Sequence, residues 1–123
     1  GNGPKLLFVH FGEAEQAFCL PLLAKVRNAG IKAEMYPDSA KMNKQMKYAN
    51  NRKVAYVAVV GSDEMEQNSV MLKNMETGEQ ELVSANDLAD KINQEFTNST
   101  RKISYFTAVY RLKTLPALFC ENI

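Results

Sequence analysis

The sequence is poor in the residues that catalysis or metal binding would require. It has one histidine, His10, and two cysteines, Cys19 and Cys120, which lie far apart without paired or metal-ligand spacing. Both thiols are therefore expected to be reduced, and no zinc site is expected. A lone histidine near a strand end is more often a packed or surface side chain than a base or ligand. No nucleophile stands beside a base and no metal cluster can be picked out, so a search for an active site comes up empty. No apolar run approaches the ~20 residues needed to cross a bilayer, and "GNGPK" lacks the charged-then-apolar layout of a secretory signal. A cytoplasmic chain with no membrane partner is expected. There is no glycine-rich phosphate fingerprint, because "GNG" precedes the first strand instead of following it.

What is present suffices for one ordinary domain: 123 residues, 46% of them hydrophobic. The net charge of +1 conceals two unlike parts. Residues 1–96 hold 11 basic and 13 acidic side chains, whereas residues 97–123 hold 4 and 1. A polar "TNST" linker begins the second part, and its aromatic-rich "KISYFTAVYRLK" alternates as an added strand or amphipathic extension would. The expected division is a domain over residues 5–96 and an extension over 97–123.

Within the first part, "KLLFVHF" (5–11) is an apolar run between glycines, fitting a strand buried on both faces. The following segment places Ala17, Leu20, Leu23 and Arg27 at helical spacing, with Glu13 and Glu15 at the start and Gly30 as a stop. Pro21 implies a kink or a later start. "IKAEMY" (31–36) and "VAYVAVV" (54–60) are strand-like, "KMNKQMKYANN" (41–51) lacks any breaker, and "SVMLKNMETGEQELVS" (69–84) forms two extended pieces around a glycine-tipped turn. "SANDLADKINQEF" opens with Ser84 three residues before Asp87, close to a capping box, and puts Leu88, Ile92 and Phe96 on one face. The order is β-α-β-α-β-β-β-α, an α/β chain with a mixed sheet, since parallel neighbours need crossover helices.

Charge is concentrated in "SAKMNKQMKYANNRK" (39–53), which has five cations and no carboxylate. On a helical wheel Met42, Met46 and Ala49 share one arc, while Lys41, Lys44, Lys47, Tyr48 and Asn51 fall opposite. A solvated helix face is the ordinary explanation. Against it stands the uncompensated repulsion along the stripe, which a polyanionic ligand would relieve. Tyr48 beside it is a candidate for stacking on a base. In "VVGSDEMEQ", a glycine ends a buried strand where α/β proteins place ligand loops. Asp63 and Glu64 there are either helix-capping acids at a plain turn or acceptors for the amines of base edges.

Taken together, "LLFVHFGEAEQAF", "LLAKVRNAGIKAEMY", "KQMKYAN", "VVGSDE" and above all "LKNMETGEQ" resemble the C-terminal anticodon-binding domain of class II aminoacyl-tRNA synthetases, the histidyl branch in particular. The likeness covers roughly residues 5–95. It implies a five-stranded mixed sheet flanked by three helices. It also implies binding of the anticodon arm of tRNA(His), while a separate catalytic domain uses ATP and Mg to attach histidine. By position, Ser39, Glu64 and Lys73 would read bases, and Lys41, Lys44 and Lys47 would contact phosphates. Two positions depart from the family pattern: Asn68 stands where relatives often have glycine, and "NRKVAY" lacks the glycine often found before the third strand. The catalytic motifs of the class are absent, so the chain is expected to be an inactive piece of a larger enzyme. It would use no cofactor of its own and bind no DNA, and the parent would dimerise through its catalytic domain. The alternative is a synthetase-like protein-interaction or RNA-binding module without aminoacylation, with the basic aromatic extension as its contact surface.

Overall fold

The computed structural model describes residues 3–95. The extension at 97–123, with Cys120, lies outside the described residues, as does Phe96. The chain divides into two compact units, Gly1–Lys91 and Ile92–Ile123, and the fold below is that of the first.

Five strands, β1 (Leu6–His10), β2 (Ala33–Met35), β3 (Tyr56–Val60), β4 (Ser69–Asn74) and β5 (Gln80–Ser84), form one sheet in the order β2-β1-β3-β4-β5. β1 runs parallel to β2 and β3, and β4 is antiparallel to both β3 and β5. The mixed sheet and the order of the elements agree with the sequence. Every residue of β1 is fully buried, as expected of a central parallel strand covered on both faces.

The crossovers are α1 (Glu13–Asn28) and α2 (Met42–Asn51). α2 lies on the face formed by Leu7, Val9 and Val57, with Ala49 buried there and Met42, Met46 and Tyr48 packed against it. The methionine arc thus points inward as expected. α1 connects β1 to the opposite neighbour, so a right-handed crossover puts it on the other face. Its buried side chains are Cys19, Leu22, Leu23 and Val26, not the expected comb through Ala17 and Leu20; Leu20 is 55% exposed. Pro21 sits inside α1 without splitting it into two elements, on the solvent side.

A helix not expected from the sequence, α3 (Ser62–Glu66), follows β3. It is one turn and a half, too short to show a periodicity. Residues 88–95 are helical, as expected, after a 3-10 turn at Ala85–Asp87. The Ser84 hydroxyl caps that turn by accepting from the Asn86 N–H at 3.2 Å. The β4–β5 turn is held by Asn74, whose side-chain oxygen accepts from the N–H groups of Glu76 and Thr77 at 2.9 and 3.0 Å. Gly78 at its tip has φ +80°, which side chains rarely adopt.

Asn68, where the family pattern often has glycine, has a left-handed backbone, φ 48°, and so does Lys53 within "NRKVAY", φ 54°. Asparagine tolerates this region well, whereas a lysine carries a cost of about 1–2 kcal/mol. Set against the greater freedom that glycine gives the unfolded chain, Lys53→Gly is expected to raise the unfolding free energy by about 0.5–1 kcal/mol, read from the denaturation midpoint. The Cys19 thiol is buried, and burial pushes its pKa up to about 12, with the Glu15 carboxylate adding to the shift. The folded chain therefore holds the proton that the unfolded chain loses near pH 8.5. Stability from this group is intact below that pH and falls as pH rises toward 12. Compared with Cys19→Ala by denaturant titration, the parent should lose ground between pH 8 and pH 11 and not between pH 6 and pH 8.

Candidate nucleic-acid interface

Because β1, β2 and β3 are parallel, their C-terminal ends meet along one edge of the sheet, where α/β proteins place their ligand loops. Three segments leave from it: Phe11 and Gly12 after β1, residues 36–41 after β2, and Gly61 with α3 after β3.

The loop after β2 is tied down through its carbonyls. His10 approaches the Tyr36 carbonyl with Nε2 at 2.9 Å, and since a carbonyl only accepts, Nε2 carries the proton. Gln16 donates from Nε2 to the Pro37 carbonyl at 3.0 Å. Gln45, on α2 and fully buried, donates from Nε2 to the carbonyls of Ala40 and His10, both at 2.8 Å, and accepts the His10 N–H at 3.0 Å through Oε1. Its carboxamide thus acts as a peptide unit paired to the end of β1. Ser39 stands exposed between these anchors.

Lys41 is the N-cap residue of α2 and makes no side-chain cap, so its ammonium group is left for solvent. Lys44 and Lys47 follow it on the exposed side. Among the described residues, none of these three ammonium groups has a hydrogen-bond or ion-pair partner, and the first turn of α2 holds no acid. The stretch is not wholly without a carboxylate: Arg52 reaches Glu34 of β2 at 2.7 Å. The pair is surface-exposed and worth at most about 1 kcal/mol.

Tyr48 leaves the lysine stripe. It is half-buried, its ring meets Tyr36 edge-on at 5.5 Å and Arg52 lies over it at 5.7 Å from the centroid. Its contacts are made within the domain, against the expectation of a ring offered to a base. Glu64 lies in α3, half-buried, with no hydrogen bond or ion pair among the described residues. Lys73 is placed differently. It pairs with Val57, three residues, about 10 Å, back from the end of β3, and shares the α2 face of the sheet. The structure therefore gathers Ser39, Lys41 and Glu64 along one edge and leaves Lys73 on the α2 face of β4, away from that edge.

Sequence reasoning missed Gln45, although a polar residue between Met42 and Met46 on the inward arc was the available signal. It also missed Phe11, which directly follows a fully buried strand and yet is 62% exposed. Among the described residues no three histidine, cysteine or acidic side chains gather to hold a metal ion, and no helix is long and apolar enough to cross a membrane.

A mixed sheet with two crossover helices and an anchored loop beside unpaired cations defines an α/β domain that presents a cationic edge. The chain belongs to the anticodon binding domain family, whose model matches residues 6–95. Its relatives are more specific. The histidine-tRNA ligase of Phocaeicola vulgatus is 56% identical over 87 residues, which make up 71% of this chain and 19% of that protein. The chain therefore spans about a fifth of the length of the curated relatives it matches. Apo histidyl-tRNA synthetase of S. aureus is 31% identical at a TM-score of 0.67, covering 72% of this chain and 23% of that one. Histidyl-tRNA synthetase from Nostoc sp. PCC 7120 is 22% identical at a TM-score of 0.73, covering 77% and 23%, and shows the shared fold.

Gln45→Ala leaves the His10 N–H and the carbonyls of His10 and Ala40 without their partner. We expect a loss of about 2–4 kcal/mol in the unfolding free energy and faster amide exchange over residues 38–41. Gln16→Ala, which loses one exposed bond, is expected to cost a few tenths.

Proposed function

We propose that this chain is the anticodon-binding part of a histidine-tRNA ligase, and that it grips the anticodon arm of tRNA(His) while a catalytic domain elsewhere in the parent enzyme attaches histidine. The observation that carries this is the 56% identity to a histidine-tRNA ligase over 87 residues, a span that includes the lysine-rich helix. ATP and Mg serve the catalytic domain, and none of the residues described here takes part in that step. The parent enzyme would be cytoplasmic and dimerise through its catalytic domain. The stand-alone interaction module is not favoured, since the relatives are ligases over the whole matched span.

The labour divides by chemistry. Lys41, Lys44 and Lys47 meet phosphates, because three unpaired ammonium groups in a row gain from a polyanion and release its counterions. Ser39 and Glu64 at the sheet edge read bases through hydrogen bonds. Lys73 is assigned to a base by the family pattern alone; on the α2 face of β4 it can reach only a nucleotide that passes over that face.

Titration of the chain with anticodon stem-loops tests these roles. Replacing all three stripe lysines by alanine should lower the slope of log K against log salt by roughly two to three; an unchanged slope removes the phosphate role. Glu64→Ala should weaken the cognate loop by about 1–3 kcal/mol more than a scrambled one, and an equal loss on both removes the base-reading role. Lys73→Ala is expected to discriminate in the same way if it contacts a base, and to change only the salt slope if it meets phosphate.

A further inference from the structure

Phe11 is unusual for the place it occupies. The five residues before it are fully buried, and it alone turns out to water with 62% of its surface exposed. Among the described residues the other exposed large hydrophobics are Leu20 and Leu82; Phe11 is the aromatic one, and it stands on the edge where the loops converge.

The ring is nonetheless held in place. Gly61 is buried and has an extended backbone, φ −120°, which any residue adopts, so its conformation does not call for glycine. Space does: a methyl group there would stand 3.2 Å from Cδ2 and Cε2 of Phe11. One edge of the ring therefore rests against the bare backbone of Gly61, which limits its motion while leaving most of the side chain to solvent. The same missing methyl would lie 3.8 Å from Oε1 of Glu64. Ring and carboxylate border one point, and that carboxylate has no hydrogen bond or ion pair among the described residues.

A flat apolar surface beside an unpartnered acceptor matches a flat aromatic ligand that carries an N–H donor on its rim. An unpaired RNA base with an exocyclic amine has that shape and polarity. We propose that Phe11 is a stacking platform for one unpaired base of the bound RNA, and that Glu64 accepts a hydrogen bond from the amine of that same base. Stacking supplies affinity that does not depend on base identity, and the carboxylate supplies the choice. Gly61 is a positioning residue, since a methyl group there would oblige the ring to give by a few tenths of an ångström. The proposal rests on the tRNA-binding function argued above and adds to it a residue and a recognition mode.

The test uses the 123-residue chain and an anticodon stem-loop, with 2-aminopurine placed in turn at each loop position. In the parent, one position should show fluorescence quenching on binding. Phe11→Ala and Phe11→Leu should abolish that quenching and weaken binding roughly five- to hundredfold, with the salt slope unchanged, while Phe11→Tyr keeps both. Removing the exocyclic amine at the quenched position should weaken the parent and leave Glu64→Ala unaffected. If the parent binds but Phe11→Ala, with an unaltered circular dichroism spectrum, binds within twofold of it, the platform is wrong and the tRNA-binding function stands. Should Phe11→Ala unfold, the contrast between Phe11→Leu and Phe11→Tyr decides, and equal binding by the two overturns the proposal. A parent that binds no stem-loop overturns both the proposal and the function on which it rests.

Discussion

One carboxamide joins the two halves of the parallel core. At the end of β1 the ladder to β2 has run out, and the His10 peptide would be left buried with a donor and an acceptor to satisfy. Gln45 supplies both from α2 and uses its second amide hydrogen on the Ala40 carbonyl. Buried polar groups are costly when unpaired and strongly orienting when paired. The bond set therefore fixes where α2 starts relative to β1, and with it the place of Lys41, Ser39 and the whole loop. The lysine stripe is aimed by a residue on the opposite side of the same helix.

That arrangement separates rigidity from charge. The inward side of α2 carries two methionines, an alanine and the buried glutamine, which makes its three hydrogen bonds there. The outward side carries cations that bind nothing within the described residues. A surface of this kind needs no rearrangement to meet a polyanion, because the cations gain partners without giving any up. Beside the loop after β3 the charge is reversed: α3 contributes Asp63 and Glu64 in its first turn. The ends of the parallel strands therefore carry both charge signs, cations at the start of α2 and acids at the start of α3.

Much of this was legible in the sequence, and the misses have physical causes. β1 could be read because five apolar residues between glycines leave no polar side for water. α2 could be read because Met42, Met46 and Ala49 recur at helical spacing with lysines opposite. α1 defeated the same rule: "AFCLPLLAKV" is apolar almost throughout, so two combs fit equally well, and packing against the sheet chose Cys19, Leu22, Leu23 and Val26. α3 is too short for any period to show. Tyr48 sits at the border of the two arcs, and Tyr36 and Glu34, from a different element, draw it inward. Gln45 announced itself only as a polar residue on an apolar arc; two of its three bonds go to His10, 35 positions away, which comes within reach only once the sheet has closed. The departures from glycine at Asn68 and in "NRKVAY" left the turn shapes open, and only the backbone shows that Asn68 and Lys53 are left-handed.

The central place of β1 has a consequence for how the chain is made. Its neighbours β2 and β3 follow a helix and two helices later in the sequence. Growing from a ribosome, "LLFVH" emerges ahead of the other strands of this domain, and its second partner does not exist until Val60 has been added. Between the synthesis of β2 and that of β3 the most apolar strand in the domain keeps one edge open, while the β4–β5 hairpin, which forms locally and fast, is not yet synthesised. Nascent chains of this domain pass through a stage at which their central strand is their most aggregation-prone one, and the time spent there is set by the rate of translation across α2.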